Sequence, residues 1–220
     1  MEHEHTQRIR LLYDGAAGRR WRRIEEGRPE GYLEQNIVIG RRRLHEHLLE
    51  WLAEEPHRRI LDAGCGLGTL AGKMAVAGAV VTGVDLVPDF IETARQKTGR
   101  DGPTFIAGDF LQQLEGEAQA APFDAVVLTE VLEDYDTSER NELLKSIAMS
   151  GVPRLYLAFR SSGFGPGGFW KHLGGDEDRD ISEIELLRGI HLATPLRQKR
   201  QAKINVRNYR VHLSDFRREG

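Results

Sequence analysis

Three glycines at alternate positions, Gly64, Gly66 and Gly68, constrain this chain more than any other feature. Ile60 and Leu61 precede them, the small-residue segment Leu70 to Ala77 follows, and a β-branched run (Val80, Val81, Val84) ends on Asp85. That order predicts strand, glycine loop, helix, and a second strand with an acid at its tip. Parallel strands joined by a helix bring their carboxyl ends together, so a ligand across the first loop meets glycine backbone on one side and Asp85 on the other. Asp85 stands 85 − 66 = 19 positions past Gly66, the usual distance for an acid that accepts both ribose hydroxyls. The implied ligand carries a nucleoside.

The spacing also separates one nucleoside from another. A dinucleotide loop needs its third glycine three positions past the second, where helix and strand pack and the pyrophosphate meets the helix N-terminus. That position is Thr69. Asp62 stands ahead of the loop, where an acid repels a pyrophosphate and suits a cationic aminoacyl group. On these residues, the pattern D-x-G-x-G-x-G from Asp62 to Gly68 together with Asp85, the stretch resembles the class I S-adenosylmethionine-dependent methyltransferases. The resemblance implies a Rossmann-like α/β fold, a seven-stranded and mostly parallel sheet with an antiparallel final strand, and S-adenosylmethionine as cofactor. It further implies that Asp62 lies near the methionine moiety, that Gly64, Cys65, Gly66 and Gly68 pack under it, and that Asp85, with Leu86 beside it, holds the ribose. A dinucleotide site or a purely structural βαβ turn is the alternative reading of the same glycines.

With 220 residues the chain is long enough for one well-buried α/β domain and short for two. A net charge of −3 gives no electrostatic reason to expect nucleic acid as a partner. Cys65 is the single cysteine, which excludes an internal disulfide, fits a reducing compartment, and leaves no second thiol to share a metal. The start, MEHEHTQRIR, lacks the apolar core of a signal peptide or anchor. No later run approaches the ~20 apolar residues of a bilayer span. A cytoplasmic protein is expected, with contact to a membrane surface left open.

Residues 1–54 read as a helical cap belonging to the same domain as the Rossmann-like unit 55–220. Within it Ile37, Val38, Leu44, Leu48, Trp51 and Leu52 share a helix face, while Arg41, Arg42 and Arg43 are expected to point mostly to solvent. The breakers Gly27 to Gly31 set off Tyr13 to Ile24, an aromatic and basic segment suited to cover a pocket. After Asp85, Pro88 opens a helix, and residues 103–109 read as the third strand. Asp109 there suits the exocyclic amine of adenine and Phe110 suits its ring, or Asp109 closes an Asx turn. Phe123 to Val131 is the fourth strand, placing Thr129 to Tyr135 beside the reacting methyl group. A helix follows with Ser138 as its cap, then a fifth strand (154–160) and a glycine-rich flap from Ser161 to Asp180. A helix over 181–193 and a closing antiparallel pair over 196–216 complete the chain, with Arg197 to Arg200 guarding a sheet edge.

A second resemblance lies outside the cofactor motif. Tyr13-Asp14-Gly15, Arg20 to Ile24, Asn36 to Arg41, Leu48 to Leu52 and the tail Asn208 to Leu213 are similar to the magnesium-protoporphyrin O-methyltransferases of (bacterio)chlorophyll synthesis. This implies a small-molecule acceptor, a porphyrin propionate that becomes a methyl ester. Two positions depart from that family: its histidine before the tyrosine that follows strand four is here Asp134, before Tyr135, and its Tyr-Phe pair is here Leu12-Tyr13. The candidate catalytic residues are Asp134, Glu130 and Tyr13, and the candidate acceptor contacts are Trp21, Tyr135, Phe164 and Trp170. A propionate, ionised above about pH 4.3, needs alignment and a dry site but no base. A hydroxyl or amine of another metabolite would use the acids as base or orienting group. Cofactor binding without catalysis is the third reading.

Overall fold

The computed structural model describes residues 4–54, 59–99, 101–117, 122–160, 181–207 and 209–219. Three helices come first: α1 (Glu4–Asp14), α2 (Ala16–Glu25) and α3 (Gly31–Ala53). The sheet unit follows as β1 (Arg59–Ala63), α4 (Thr69–Val76), β2 (Val80–Asp85), α5 (Pro88–Thr98), β3 (Thr104–Ala107), α6 (Phe110–Glu117) and β4 (Ala125–Thr129). A 3-10 turn (Leu132–Asp134), α7 (Thr137–Met149), β5 (Arg154–Arg160), α8 (Glu183–Ala193), β6 (Leu196–Val206) and β7 (Tyr209–Arg218) complete it.

Among the described residues seven strands form one sheet in the order β3-β2-β1-β4-β5-β7-β6. β1 through β5 pair in parallel, and β7 runs antiparallel to both β5 and β6. The Rossmann-like sheet with an antiparallel final strand is therefore present. The chain winds outward from β1 to β3, then crosses back to β4, and this reversal between β1 and β4 opens a crevice at the carboxyl ends of the strands.

Strand alternation divides the core in two. On one face Ile60, Ala125 and Val127 pack with Leu44 and Leu48 of α3, Met74 of α4 and Ile91 of α5. On the other, Leu61, Val126 and Leu128 pack with Leu114 of α6, Leu143, Leu144 and Ile147 of α7, and Ile190 of α8. The C-terminal hairpin is pinned by a buried pair in which Arg154 Nε and Nη2 donate to the two Asp215 oxygens at 2.8 and 2.7 Å.

Local signals account for several boundaries. Pro88 occupies the first turn of α5. The cap of α7 is Asp136, not Ser138: its side chain accepts from the Glu139 N–H while the Glu139 carboxylate accepts from the Asp136 N–H, a reciprocal box that satisfies two orphan donors. β6 is one of the two edge strands, as its basic run suggests. The glycine-rich flap, with Phe164 and Trp170, lies outside the described residues.

Candidate active site

A cavity of about 580 Å³, part of it open to solvent, occupies the crevice. Its floor is the loop after β1. Gly64 and Cys65 donate their N–H groups to the Val84 carbonyl at 2.8 and 3.0 Å, which draws the loop over the end of β2. Gly64 has φ +75°, and a Cβ there would lie 2.3 Å from Val131 Cγ2, so only glycine lets this loop lie against the turn after β4. Gly66 has φ +54° and presents its N–H to Asp85 Oδ2 at 2.8 Å, while the Val87 N–H donates to Asp85 Oδ1 at 2.9 Å. Burial raises the Asp85 carboxyl to about 6 against the opposing pull of those two amides.

The far wall is built from the end of β4. Glu130 has φ +57°, a left-handed conformation uncommon for a residue with a side chain. Several contacts hold it there: its N–H donates to the Ala158 carbonyl, Arg41 donates to its Oε2 at 2.6 Å, and the Tyr209 hydroxyl donates to its Oε1 at 2.8 Å. Burial, then the Glu130 charge, pushes the Tyr209 hydroxyl well above its ordinary range, so it stays a donor. Glu133 is turned away to accept from the Arg160 N–H at 2.7 Å, and burial raises its carboxyl.

The cap forms the roof. Tyr13 donates to Asp134 Oδ2 at 3.0 Å and meets the Phe90 ring edge-on with centroids 5.9 Å apart. Burial, then the Asp134 charge, raises the Tyr13 hydroxyl far above its usual value. Trp21 carries the Arg41 guanidinium 4.4 Å above its ring. Arg10 Nε donates to the Leu86 carbonyl at 2.9 Å, Arg22 donates to the Thr93 hydroxyl at 2.6 Å, and Arg8 donates to the Asp134 carbonyl and to Glu139.

Eleven of the residues singled out from sequence line this one cavity: Tyr13, Trp21, Gly64, Gly66, Asp85, Leu86, Phe110, Thr129, Glu130, Asp134 and Tyr135. Four stand outside its wall. Asp62 is buried behind the loop, Cys65 packs its sulfur under Gly83, and Gly68 makes room for Phe105 and Ala94. Asp109 spends Oδ1 on the Leu111 N–H, the Asx turn weighed against its adenine role. Two residues that sequence reasoning pointed elsewhere, or passed over, hold the site together. Arg41 is only 11% exposed rather than solvent-facing, and Glu25 is 3% exposed against it. The spacing Ile37, Arg41, Leu44, Leu48 was the available signal, because Arg41 interrupts the apolar stripe at a core position.

Comparison with known proteins agrees with this geometry. A family profile described as a methyltransferase domain matches residues 60–151, from β1 to just past α7. A magnesium-protoporphyrin O-methyltransferase of Synechocystis sp. is 30% identical over 159 residues, covering 69% of this chain, and the match spans 66% of that relative's length. The crystal structure of the magnesium protoporphyrin IX methyltransferase of Synechocystis with bound SAH superposes with TM-score 0.82, covering 97% of this chain and 99% of that one at 24% identity. The N-methyltransferase NodS of Bradyrhizobium japonicum, with S-adenosyl-L-homocysteine, gives 0.65 over 99% and 100% of the two chains at 19% identity. Among the described residues no helix is long and apolar enough to cross a membrane. With the sheet order, the glycine loop, the acid at the tip of β2 and the domain match all in agreement, the chain belongs to the class I S-adenosylmethionine-dependent methyltransferases.

Proposed function

We propose that this chain binds S-adenosylmethionine across the carboxyl ends of β1 and β2 and methylates a small molecule, a propionate of magnesium-protoporphyrin. Asp85 carries the cofactor part of the reading. Its two oxygens each accept one backbone amide, and a carboxylate has about four acceptor positions, so one on each oxygen remains for vicinal ribose hydroxyls. The cavity suits the ligand in charge as well: the charged side chains in its wall are Asp85, Glu130 and Asp134, all acids. When bound, the cofactor supplies an electrophilic methyl group on a sulfonium. The residues' part is to hold that cation among carboxylates and to exclude water beneath Tyr13 and Trp21.

The propionate reading is supported by the 30% identical relative, together with the motifs shared in the N-terminal helices and the tail. An ionised propionate asks only for alignment. One observation favours a second reading, an amine or hydroxyl acceptor. Tyr13 and Asp134 form a hydrogen-bonded pair in the cavity wall, an arrangement that orients or deprotonates such a group and repels a carboxylate.

The test is incubation of the protein with magnesium-protoporphyrin and S-adenosylmethionine, with products read by mass spectrometry. A monomethyl ester is expected. With a propionate as acceptor, kcat should be nearly flat from about pH 6 to 9, and Asp134→Asn should be tolerated. No ester, with cofactor binding demonstrated, transfers the assignment to the second reading, where the rate climbs with pH and Asp134→Asn lowers kcat by roughly 10²–10⁴.

A further inference from the structure

We infer that Tyr209, the first residue of β7, is a positioning residue for cofactor binding: through Glu130 it holds the turn after β4 in the left-handed conformation that shapes the far wall of the cavity. The inference rests on the cofactor reading above and adds a residue from the last strand, distant in sequence from both the glycine loop and β4.

Among the described residues two that are not glycine have positive φ, Glu130 at +57° and Arg207 at +50°. Arg207 stands between Val206 and Tyr209, which pair across the β6–β7 hairpin, and a left-handed residue is the usual means of reversing a chain there. No hairpin accounts for Glu130, which leaves β4 on the way to a parallel strand. Its conformation has a visible effect on the cavity. In a strand successive residues face opposite sides, yet Thr129, Glu130 and Val131 are consecutive and all line the cavity. The turn at Glu130 breaks the alternation and seats Val131 against Gly64 in the floor, where a Cβ on the glycine would lie 2.3 Å from Val131 Cγ2.

A glutamate does not keep positive φ unaided. Three elements hold it: the Tyr209 hydroxyl on β7 donates to its Oε1 at 2.8 Å, Arg41 on α3 donates to its Oε2 at 2.6 Å, and its own N–H donates to the Ala158 carbonyl on β5 at 2.8 Å. The Glu130 side chain is 1% exposed, which suits an anchor and not a base that must reach an acceptor. Arg41 is shared with Glu25, whereas the Tyr209 hydroxyl is aimed at Glu130 from a ring fixed against Gly40. Without that hydroxyl the turn exchanges between left-handed and relaxed forms, and apparent affinity falls with the fraction that stays left-handed.

The experiment is calorimetric titration of the full chain with S-adenosylhomocysteine, whose affinity for a folded variant reports the shape of the site rather than global stability. Tyr209→Phe, which keeps the ring, is expected to weaken binding about five- to tenfold. Glu130→Ala has neither the clamp nor a tolerance for positive φ and should lose about tenfold. Glu130→Gly adopts positive φ about as readily as negative and should lose only about twofold, and Tyr209→Phe added to it should cost nothing more. In both Glu130 variants Arg41 keeps Glu25 and Arg160 keeps Glu133; should either variant not fold, Tyr209→Phe decides alone. Wild-type affinity in Tyr209→Phe, or equal losses for Glu130→Ala and Glu130→Gly, overturns the inference alone. Wild-type protein that does not bind S-adenosylhomocysteine overturns the cofactor reading and the inference with it.

Discussion

Asp85→Ala is expected to weaken S-adenosylhomocysteine by about 1.5–3 kcal/mol, through lost charge-assisted bonds and a loosened Gly66 amide, with circular dichroism unchanged; unaltered affinity by calorimetry would remove Asp85 from the site. Its position was legible because the tip of a second parallel strand is fixed by topology, so sequence distance from the glycine loop translates directly into space. Arg41 was not legible in the same way. Helical periodicity predicts which face a residue occupies, but a lone charge on the apolar face looks like scatter until its acidic partners, 16 residues before and 89 after, are folded against it. Arg41→Ala removes the cation from between Glu25 and Glu130, both nearly inaccessible. A loss of about 3–5 kcal/mol of stability is expected, because the cost is that of stranding buried carboxylates rather than of one missing contact. Urea denaturation measures it, and a loss below about 1 kcal/mol would mean that water reaches those acids.

At the scale of elements, the βαβ unit, the strand series and the closing hairpin followed from runs of β-branched residues and from breakers, whereas α6 and the capping of α7 did not. In α6 the helix starts on Phe110 directly after the residue whose carboxylate accepts the Leu111 N–H. The same Asp109 thus reads equally as ligand contact or cap until its lone pairs are located. The contact between α3 and β7 gives a sharper test. A Cβ on Gly40 would lie 2.0 Å from the Tyr209 ring, whose hydroxyl holds Glu130. Gly40→Ala should therefore destabilise the fold by about 1–3 kcal/mol through overpacking and also lower kcat, because the ring cannot move without releasing Glu130. Gly72→Ala is the control: the nearest atom to its Cβ would be 3.6 Å away, an ordinary contact, and activity should persist.

For the whole molecule, the buried acids set a dependence of stability on pH. Asp62 at about 7 and Asp85 at about 6 are both raised above the ordinary aspartate value. The native chain therefore holds protons that the unfolded chain releases, and this contribution is full below about pH 4 and lost as pH rises through 6 to 7. His45 and His212, both pulled down chiefly by burial, act in the opposite sense and lose stability as pH falls below about 6.5. Asp62→Asn isolates one group. Relative to wild type without cofactor, the variant should gain about 2–4 kcal/mol between pH 5 and pH 8, and a difference that does not change with pH would show that Asp62 is solvated in the native state. The sheet order carries one more consequence, for synthesis. β7 is made after every other strand yet lies between β5 and β6, so on the ribosome β6 emerges with no neighbour to pair with and waits for the strand behind it. Tyr209 opens that strand and completes the bonding of Glu130. A nascent chain halted before residue 209 should thus carry a formed crevice at the ends of β1 and β2 beside an unfinished far wall, and that wall is completed only when β7 slots into the interior of the sheet.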